Sequence, residues 1–292
     1  MATQSLCCDD SLQMGEYMPG TAPRSDVWLL LEHPAPWGAK AFEDSDLPEA
    51  VKTGLSGWLN AIPNARLQFI RQENSGERRL FYAALARTGR LYRFELAAYE
   101  SLPALDIPAL AGGAADYESH RSDERLFLAC TNGKRDACCA LYGLPLYRKL
   151  RQAAGESAWQ VSHIGGHRFA GTLVCLPHGL YYGRVDDPAP IVAAYRKDEF
   201  YTAGCRGRCT IEPAAQSAEI YLRQQTGLTA LDALRLANVR QNGQEWTARF
   251  ETDGAAYTVR VCAEPASMQE NSTDAERKQV MKFIPEAYQA AG

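Results

Sequence analysis

The stretch RLFLACTNGKRDACCALYGLPLYRKLRQAAGESAWQVSHIGGHRFAGTLVCLPHGLYYGRV, residues 125–185, decides the fold. RLFLAC is typical of a buried strand, and Pro145 suits the first turn of a helix because proline there gives up no needed hydrogen bond. The pattern then predicts a strand at WQVSH, a loop at IGGHRFAG, and two strands, TLVCLP and LYYGRV, around the turn Pro177-His178-Gly179.

This order of strands and helices, completed by a predicted helix over residues 212–226, matches the thioredoxin-like plan, in which helices flank a central sheet. We therefore predict an α+β protein whose thioredoxin-like domain covers residues 124–230. The small, polar stretch 110–124 is typical of a linker into that domain.

Smaller units are predicted on either side of this domain. Residues 1–112 begin with an irregular arm and continue as one strand, one helix and three strands, an N-terminal α+β domain. Residues 231–292 predict a β-hairpin extension, because Asn242-Gly243 and Asp253-Gly254 are strong hairpin signals, followed by a charged helical tail from Met268. No internal repeat is visible in the sequence.

Composition narrows the classes of function. The chain has 292 residues and a net charge of −4, which gives no reason to expect binding to nucleic acid or to an anionic membrane. No apolar run approaches the length of a membrane helix, and the first residues do not resemble a secretory signal, so we expect a cytoplasmic protein. In that setting, metal or redox roles are favoured over a disulfide framework for the nine cysteines: Cys7, Cys8, Cys130, Cys138, Cys139, Cys175, Cys205, Cys209 and Cys262.

Two cysteines and two histidines form a complete set of four metal ligands. Cys130 and Cys139 are separated by eight residues, and His163 and His167 by three, with two glycines between the histidines. A structural zinc ion and a 2Fe–2S cluster both accept such ligands. The long cysteine spacing is unlike a zinc knuckle, and the glycines suggest a backbone lying against something bulky. The spacing leaves both cofactors open.

The two segments that hold these residues resemble the sucrase/ferredoxin-like family, a branch of the thioredoxin-like 2Fe–2S ferredoxins. The family's first motif runs Cys, a short polar stretch, Arg-Asp, two residues and Cys, and Cys130, Arg135, Asp136 and Cys139 fit it. This register favours Cys139 over Cys138 as a ligand. The His-x₃-His pair occupies the position where other members of the class carry Cys-x₃-Cys. The further motif residues that match are Pro177, Gly179, Tyr182, Gly183 and Val185.

The resemblance implies a cofactor, a function and partners. Cys130 and Cys139 would hold one iron of a 2Fe–2S cluster, and His163 and His167 the other, in a non-Rieske arrangement. The protein would be a one-electron carrier rather than a catalyst, and it would exchange electrons with a reductase and an acceptor protein. A homodimer is a further expectation, because thioredoxin-like ferredoxins often pair.

Two other functions compete with this prediction. One is a structural zinc-binding interaction module. The other is a thiol–disulfide oxidoreductase that uses Cys138 and Cys139, or Cys205 and Cys209, although neither pair is a Cys-x-x-Cys motif.

Several other residues are expected to have structural roles or no specific role. Cys7 and Cys8 are expected to be exposed thiols without a role, and Cys175 a core residue. Arg135 and Asp136 are expected to form an ion pair that shapes the ligand loop.

Overall fold

One mixed sheet contains ten strands from both predicted domains. The computed structural model describes residues 6–73, 79–114, 117–273 and 276–291. Within these residues the sheet order is β10-β9-β8-β6-β7-β2-β1-β3-β4-β5. In chain order the strands are β1 (Val27–Glu32), β2 (Ala65–Arg71), β3 (Arg79–Leu85), β4 (Arg90–Leu96), β5 (Arg121–Ser122), β6 (Leu126–Cys130), β7 (Ala158–Val161), β8 (Leu173–Leu176), β9 (Leu180–Tyr182) and β10 (Cys205–Arg208).

The two halves of this sheet have the same topology. In the first half, β1 pairs in parallel with β2 and antiparallel with β3, which pairs antiparallel with β4. In the second half, β6 has the same relations to β7 and β8, and β8 to β9. This second set is the predicted thioredoxin-like sheet, and it confirms the α+β fold. The same order of one strand, one helix and three strands is predicted for each half from the sequence, although no repeat of residues is visible there.

The two halves meet at equivalent strands. β2 and β7 pair antiparallel through Ile70 with Val161 and Arg71 with Gln160. The sheet therefore continues across the proposed boundary between the domain at 1–112 and the domain at 124–230. Residues 115–116 of the predicted linker lie outside the described residues, and β5 forms from the linker's end. The polar stretch ENSGE, residues 73–77, predicts a turn between the second and third strands, and residues 74–77 also lie outside the described residues.

Helices cover the sheet. They are α1 (Cys7–Gln13), α2 (Glu49–Ala61), α3 (Ile107–Ala111), α4 (Ala137–Ala154), α5 (Ala189–Arg196) and α6 (Pro213–Thr226). The central strands β1 and β6 are buried at every residue, as expected of strands covered on both faces. None of the helices in the described ranges has the length and apolar content needed to cross a bilayer.

Helix α4 begins eight residues before Pro145, so the prediction of a helix start near this proline was wrong. The cause is Asp136, whose carboxylate accepts a hydrogen bond from the backbone N–H of Cys138 at 2.9 Å and caps the helix. Cys138 and Cys139 therefore lie in the first turn of a helix rather than in a loop.

The C-terminal residues form a separate antiparallel sheet that packs on α6. Its strands are β11 (Arg235–Asn242), β12 (Glu245–Glu251), β13 (Ala256–Gln269) and β14 (Arg277–Ala291). The turns at Asn242-Gly243 and Asp253-Gly254 confirm the hairpin prediction. The prediction of a helical tail from Met268 was wrong. β14 pairs with β13 throughout its length, and Pro285 is unfavourable in the interior of a helix.

The N-terminal arm also differs from the prediction. Instead of being irregular, it contains α1, which packs beside residues 167–169 and β13. Two ion pairs, Asp10–Arg277 at 3.1 Å and Glu16–Arg168 at 2.7 Å, hold it there. This contact brings the start of the chain to the ligand loops.

Candidate metal centre

Three predicted ligands converge at one end of the second half-sheet. Cys130 is the last residue of β6, Cys139 lies in the first turn of α4, and His163 follows β7. The His163 Nδ1 atom lies 3.7 Å from the Cys139 Sγ and 4.0 Å from the Cys130 Sγ. The three ligand atoms lie within 4.8 Å of one another, close enough to share a metal ion.

The fourth predicted ligand lies beside them. The rings of His163 and His167 have centroids 5.3 Å apart. The Nδ1 atom of His167, however, faces a second group, with the Cys7 Sγ at 3.1 Å and the Asp136 Oδ2 at 3.4 Å. The structure therefore gathers all four predicted ligands, but in two adjoining groups that are both able to hold a metal ion.

Glycine 143 sets the distance between the two cysteine ligands. This residue lies on α4 against the end of β6, and a Cβ there would overlap the carbonyl oxygen of Cys130. Only glycine lets the helix approach the strand so closely. One turn further back on the helix, Cys139 is thereby held against Cys130.

The glycines of the histidine loop pack against protein. Gly165 and Gly166 have positive φ angles of 96° and 77°. A Cβ on Gly165 would lie 2.9 Å from Pro23, and one on Gly166 would overlap the guanidinium of Arg206. The bulky groups that the two glycines accommodate are therefore Pro23 and Arg206. The glycines do not favour a 2Fe–2S cluster over a zinc ion.

Arg206 is a positioning residue that the sequence reasoning missed. Its side chain is fully buried, and burial lowers its pKa to about 9. The guanidinium donates to the Gly165 carbonyl at 3.0 Å and to the Thr21 carbonyl at 2.6 Å. It thereby ties the histidine loop to the segment that follows the arm. The sequence feature that could have pointed to this role is the arginine between Cys205 and Gly207.

The two cysteine thiols share one strong interaction. The pKa of Cys130 is lowered, first by a hydrogen bond with Cys139 and then by His163, against the opposing effect of burial. The same hydrogen bond and burial raise the pKa of Cys139. One thiolate is thus stabilised in the buried pair, which suits the first step of binding a metal cation.

Asp136 links the cysteine helix to the histidine loop. Burial would raise its pKa, but hydrogen bonds from the backbone N–H groups of Ser272 and Cys138 outweigh this effect and lower it. Burial lowers the pKa of His167, although the Asp136 carboxylate opposes this effect. Arg135 is exposed and forms no ion pair within the described residues, and Asp136 instead faces His167, so the expected Arg135–Asp136 ion pair was wrong.

The N-terminal cysteines are buried, so the expectation that they are exposed was wrong. Cys7 is 0% and Cys8 5% exposed. Cys8 forms a disulfide with Cys138, and the Cys7 Sγ lies 3.5 Å from the Cys138 Sγ. The sequence feature that could have suggested this contact is that Cys7 and Cys8, like Cys138 and Cys139, are adjacent in the chain.

Three of the four remaining cysteines lie in the core, whereas Cys262 is half-buried. Cys175 is fully buried, which confirms its expected role. Cys205 and Cys209 are also buried but belong to different hydrophobic clusters, one with Cys175 and one with Cys130. Both carry free thiols.

Known proteins match the part of the chain that contains this site. Residues 18–199 match the family described as Sucrase/ferredoxin-like. The chain belongs to the sucrase/ferredoxin-like family. All four predicted ligands of this sucrase/ferredoxin-like protein lie inside the matched range, whereas Cys7 and Cys8 lie outside it.

A curated relative is similar over a shorter range. It is "Altered inheritance of mitochondria protein 32" of Meyerozyma guilliermondii, 31% identical over 80 residues. The similar region is 24% of this sucrase/ferredoxin-like chain and 28% of that relative, so it spans little more than a quarter of the relative's length. No solved structure matches the chain.

Proposed function

We propose that this protein carries a 2Fe–2S cluster held by Cys130, Cys139, His163 and His167 and serves as a one-electron carrier. The observation that carries the proposal is the convergence of these four side chains from β6, α4 and one glycine loop. Two thiolates and two imidazoles are a ligand set that such clusters use. The family resemblance favours this cofactor over zinc, which accepts the same donors.

Asp136 fits the role of an outer partner for a histidine ligand. Histidines that bind metals usually donate their other ring N–H to a carboxylate or carbonyl, which fixes the ring. The Asp136 carboxylate lies 3.4 Å from the Nδ1 atom of His167. With Nδ1 directed to Asp136, the Nε2 atom of His167 is the one left to bind iron.

The two kinds of ligand would set the redox properties. Neutral imidazoles replace two negative thiolates on one iron, so the potential should be above that of an all-cysteine ferredoxin, as in Rieske centres. The pairs of Cys and His here come from separate segments, which distinguishes the site from a Rieske centre.

Electrons would pass through the face that contains His163. This side chain is partly exposed and lines a groove together with Lys40, Arg66 and Arg135. An adjoining groove adds Arg71, Lys134 and Arg148, and among the described residues Glu43 is the single acidic one that lines either groove. The proposed reductase and acceptor proteins should therefore present carboxylates to this face.

Metal and sulfide analysis tests the proposal. Full-length protein, produced with ample iron and purified without oxygen, should contain about two irons and two acid-labile sulfides per chain. It should be red-brown and bleach with dithionite. One zinc per chain without sulfide would instead identify a structural zinc module. Colourless protein that contains neither metal nor sulfide would leave a thiol–disulfide function as the remaining alternative.

A further inference from the structure

Three cysteines outside the proposed ligand set meet at the start of α4. Cys7 and Cys8 come from α1, and Cys138 precedes the proposed ligand Cys139. Cys8 and Cys138 form a disulfide across 130 residues of sequence, with Cα atoms 6.2 Å apart. The three residues form a small buried cluster with Ala170. The family match begins at residue 18, so it covers neither N-terminal cysteine.

The disulfide fixes the arm over one of the histidines. Cys7, the first residue of α1, has its Sγ 3.1 Å from the Nδ1 atom of His167, and its backbone N–H donates to the Ser272 hydroxyl at 3.2 Å. The His167 side chain is 11% exposed as a result of this cover and its own loop. Movement of α1 would uncover His167 and Asp136.

Two of the arm's noncovalent contacts are exposed polar pairs. Tyr142 donates to the Asp9 carboxylate at 2.8 Å, and Arg277 pairs with Asp10 at 3.1 Å. Exposed pairs of this kind stabilise a segment only weakly. The Cys8–Cys138 bond is the covalent contact that holds α1 to α4, so its loss would loosen the arm, which the Glu16–Arg168 pair also holds.

A surface groove leads to the disulfide. The groove has a volume of about 300 Å³ and is lined by Cys8, Tyr142, Pro145, Ala170 and Arg184, among others. Cys8 lines this groove, whereas Cys138 does not and is fully buried. A small thiol entering the groove would therefore reach Cys8 before Cys138.

We propose that Cys8 and Cys138 form a thiol–disulfide exchange site for small dithiols, and that its oxidation state locks or releases the arm over His167. A thiolate of the dithiol attacks the Cys8 sulfur, forms a mixed disulfide and displaces the Cys138 thiolate, which takes a proton. The second thiol of the reductant then attacks the mixed disulfide and releases Cys8 as a thiol. Two electrons and two protons pass to the protein, and the dithiol leaves as its own disulfide.

The reverse reaction, with a small disulfide as oxidant, closes the arm again. Disulfides of this kind in reducing compartments usually act transiently, in redox sensing or catalysis. The exchange uses none of the four proposed cluster ligands, so it does not depend on which metal those residues bind.

Thiol trapping and hydrogen exchange test the proposal together. Full-length protein is equilibrated anaerobically in oxidised or reduced dithiothreitol, and free thiols are alkylated before peptide mass spectrometry. We expect a Cys8–Cys138 cross-linked peptide only in the oxidised sample. We also expect amide exchange in residues 6–14 to be about tenfold faster, or more, in the reduced sample.

Variants separate the disulfide from other effects of the reductant. Cys8→Ser and Cys138→Ala should each show the fast exchange in both buffers. Cys262→Ser, the same kind of change at a half-buried cysteine of β13, should behave like the wild type. Iron and sulfide are measured in the same samples, so absence of a cluster would refute the proposed function without affecting these readouts.

Two results would overturn the proposal. One is alkylation of both Cys8 and Cys138 in the fully oxidised buffer. The other is a disulfide that breaks in the reduced buffer while exchange in residues 6–14 stays slow.

Discussion

At the scale of single residues, Cys138 and Cys139 are adjacent in sequence but belong to different groups. Successive side chains on a helix point about 100° apart. Cys139 therefore packs with Cys130 in the main core cluster, whereas Cys138 packs with Cys7 and Cys8 beneath the arm. The spacing of the family motif after Arg135-Asp136 likewise favours Cys139, and not Cys138, as the metal ligand.

Serine substitutions distinguish the two cysteines. We expect Cys139→Ser to abolish the visible absorption and the bound iron, because it removes one of four proposed ligands. Cys138→Ser should retain both, since its sulfur faces the arm. Absorption spectra and iron content of the two purified variants decide the assignment. Cluster loss in Cys138→Ser with retention in Cys139→Ser would reverse it.

At the scale of elements, the contact between α4 and β6 holds the two cysteines together. It depends on Gly143, where any Cβ would overlap the Cys130 carbonyl oxygen. Gly143→Ala should push the helix from the strand, destabilise the protein by about 1–3 kcal/mol and reduce its iron content.

The matched control is Gly57→Ala on α2. A Cβ at this position meets no atom within 4 Å. Because alanine is the better helix former, this variant should gain about 0.5–1 kcal/mol and keep its iron. Denaturant unfolding and iron analysis of both variants provide the comparison. Equal iron content in Gly143→Ala and Gly57→Ala would show that the close approach is not needed.

Helix α6 is anchored by a buried carboxylate, which predicts a pH dependence of stability. Glu219 accepts hydrogen bonds from Arg208 at 3.1 Å and Arg223 at 3.0 Å. Burial would raise its pKa, but the two arginines outweigh this effect and lower it below its ordinary value of 4.5. A lowered folded-state pKa contributes stability above pH 4.5 that is lost as the pH falls through the folded value.

Thermal unfolding between pH 7 and pH 3 should show this loss. Glu219→Gln should cost roughly 3 kcal/mol or more at neutral pH, because it leaves two buried cations without their carboxylate. The difference from wild type should shrink below pH 4.5. Glu264→Gln, in an exposed pair with Lys282, should cost at most about 1 kcal/mol. A difference for Glu219→Gln that is constant with pH would contradict the assignment.

At the scale of the whole molecule, local patterns predicted most of the fold and the four proposed ligands. β1, β6 and α6 follow from apolar runs and periodicity, and the hairpins from Asn-Gly and Asp-Gly pairs. The position of the arm could not be predicted, because α1 is short and is held by contacts with residues more than 100 positions away. The joining of the two halves into one sheet could not be predicted for a similar reason: β2 and β7 pair through residues far apart in sequence, which no local pattern records.

The basic face beside His163 predicts how electron exchange responds to charge. Oxidation of the reduced protein by ferricyanide, an anion, should slow as ionic strength rises, because salt screens the attraction. Lys40→Glu combined with Arg148→Glu should lower the rate and flatten its salt dependence. Lys197→Glu combined with Arg240→Glu makes the same change in charge away from these grooves and should have a smaller effect. Equal effects of the two double variants in stopped-flow measurements would show that electrons are exchanged through a different face of the protein.

Pulsed EPR of the dithionite-reduced protein tests the central claim most directly, since it detects the cluster and its nitrogen ligands in one experiment. Protein with ordinary histidine is compared with protein whose histidines carry ¹⁵N. A paramagnetic reduced cluster with strong nitrogen couplings that change with the isotope is predicted, with loss of one coupling in His163→Cys and of the other in His167→Cys. Absence of a paramagnetic signal, or a signal without histidine nitrogen coupling, would contradict cluster ligation by two cysteines and two histidines.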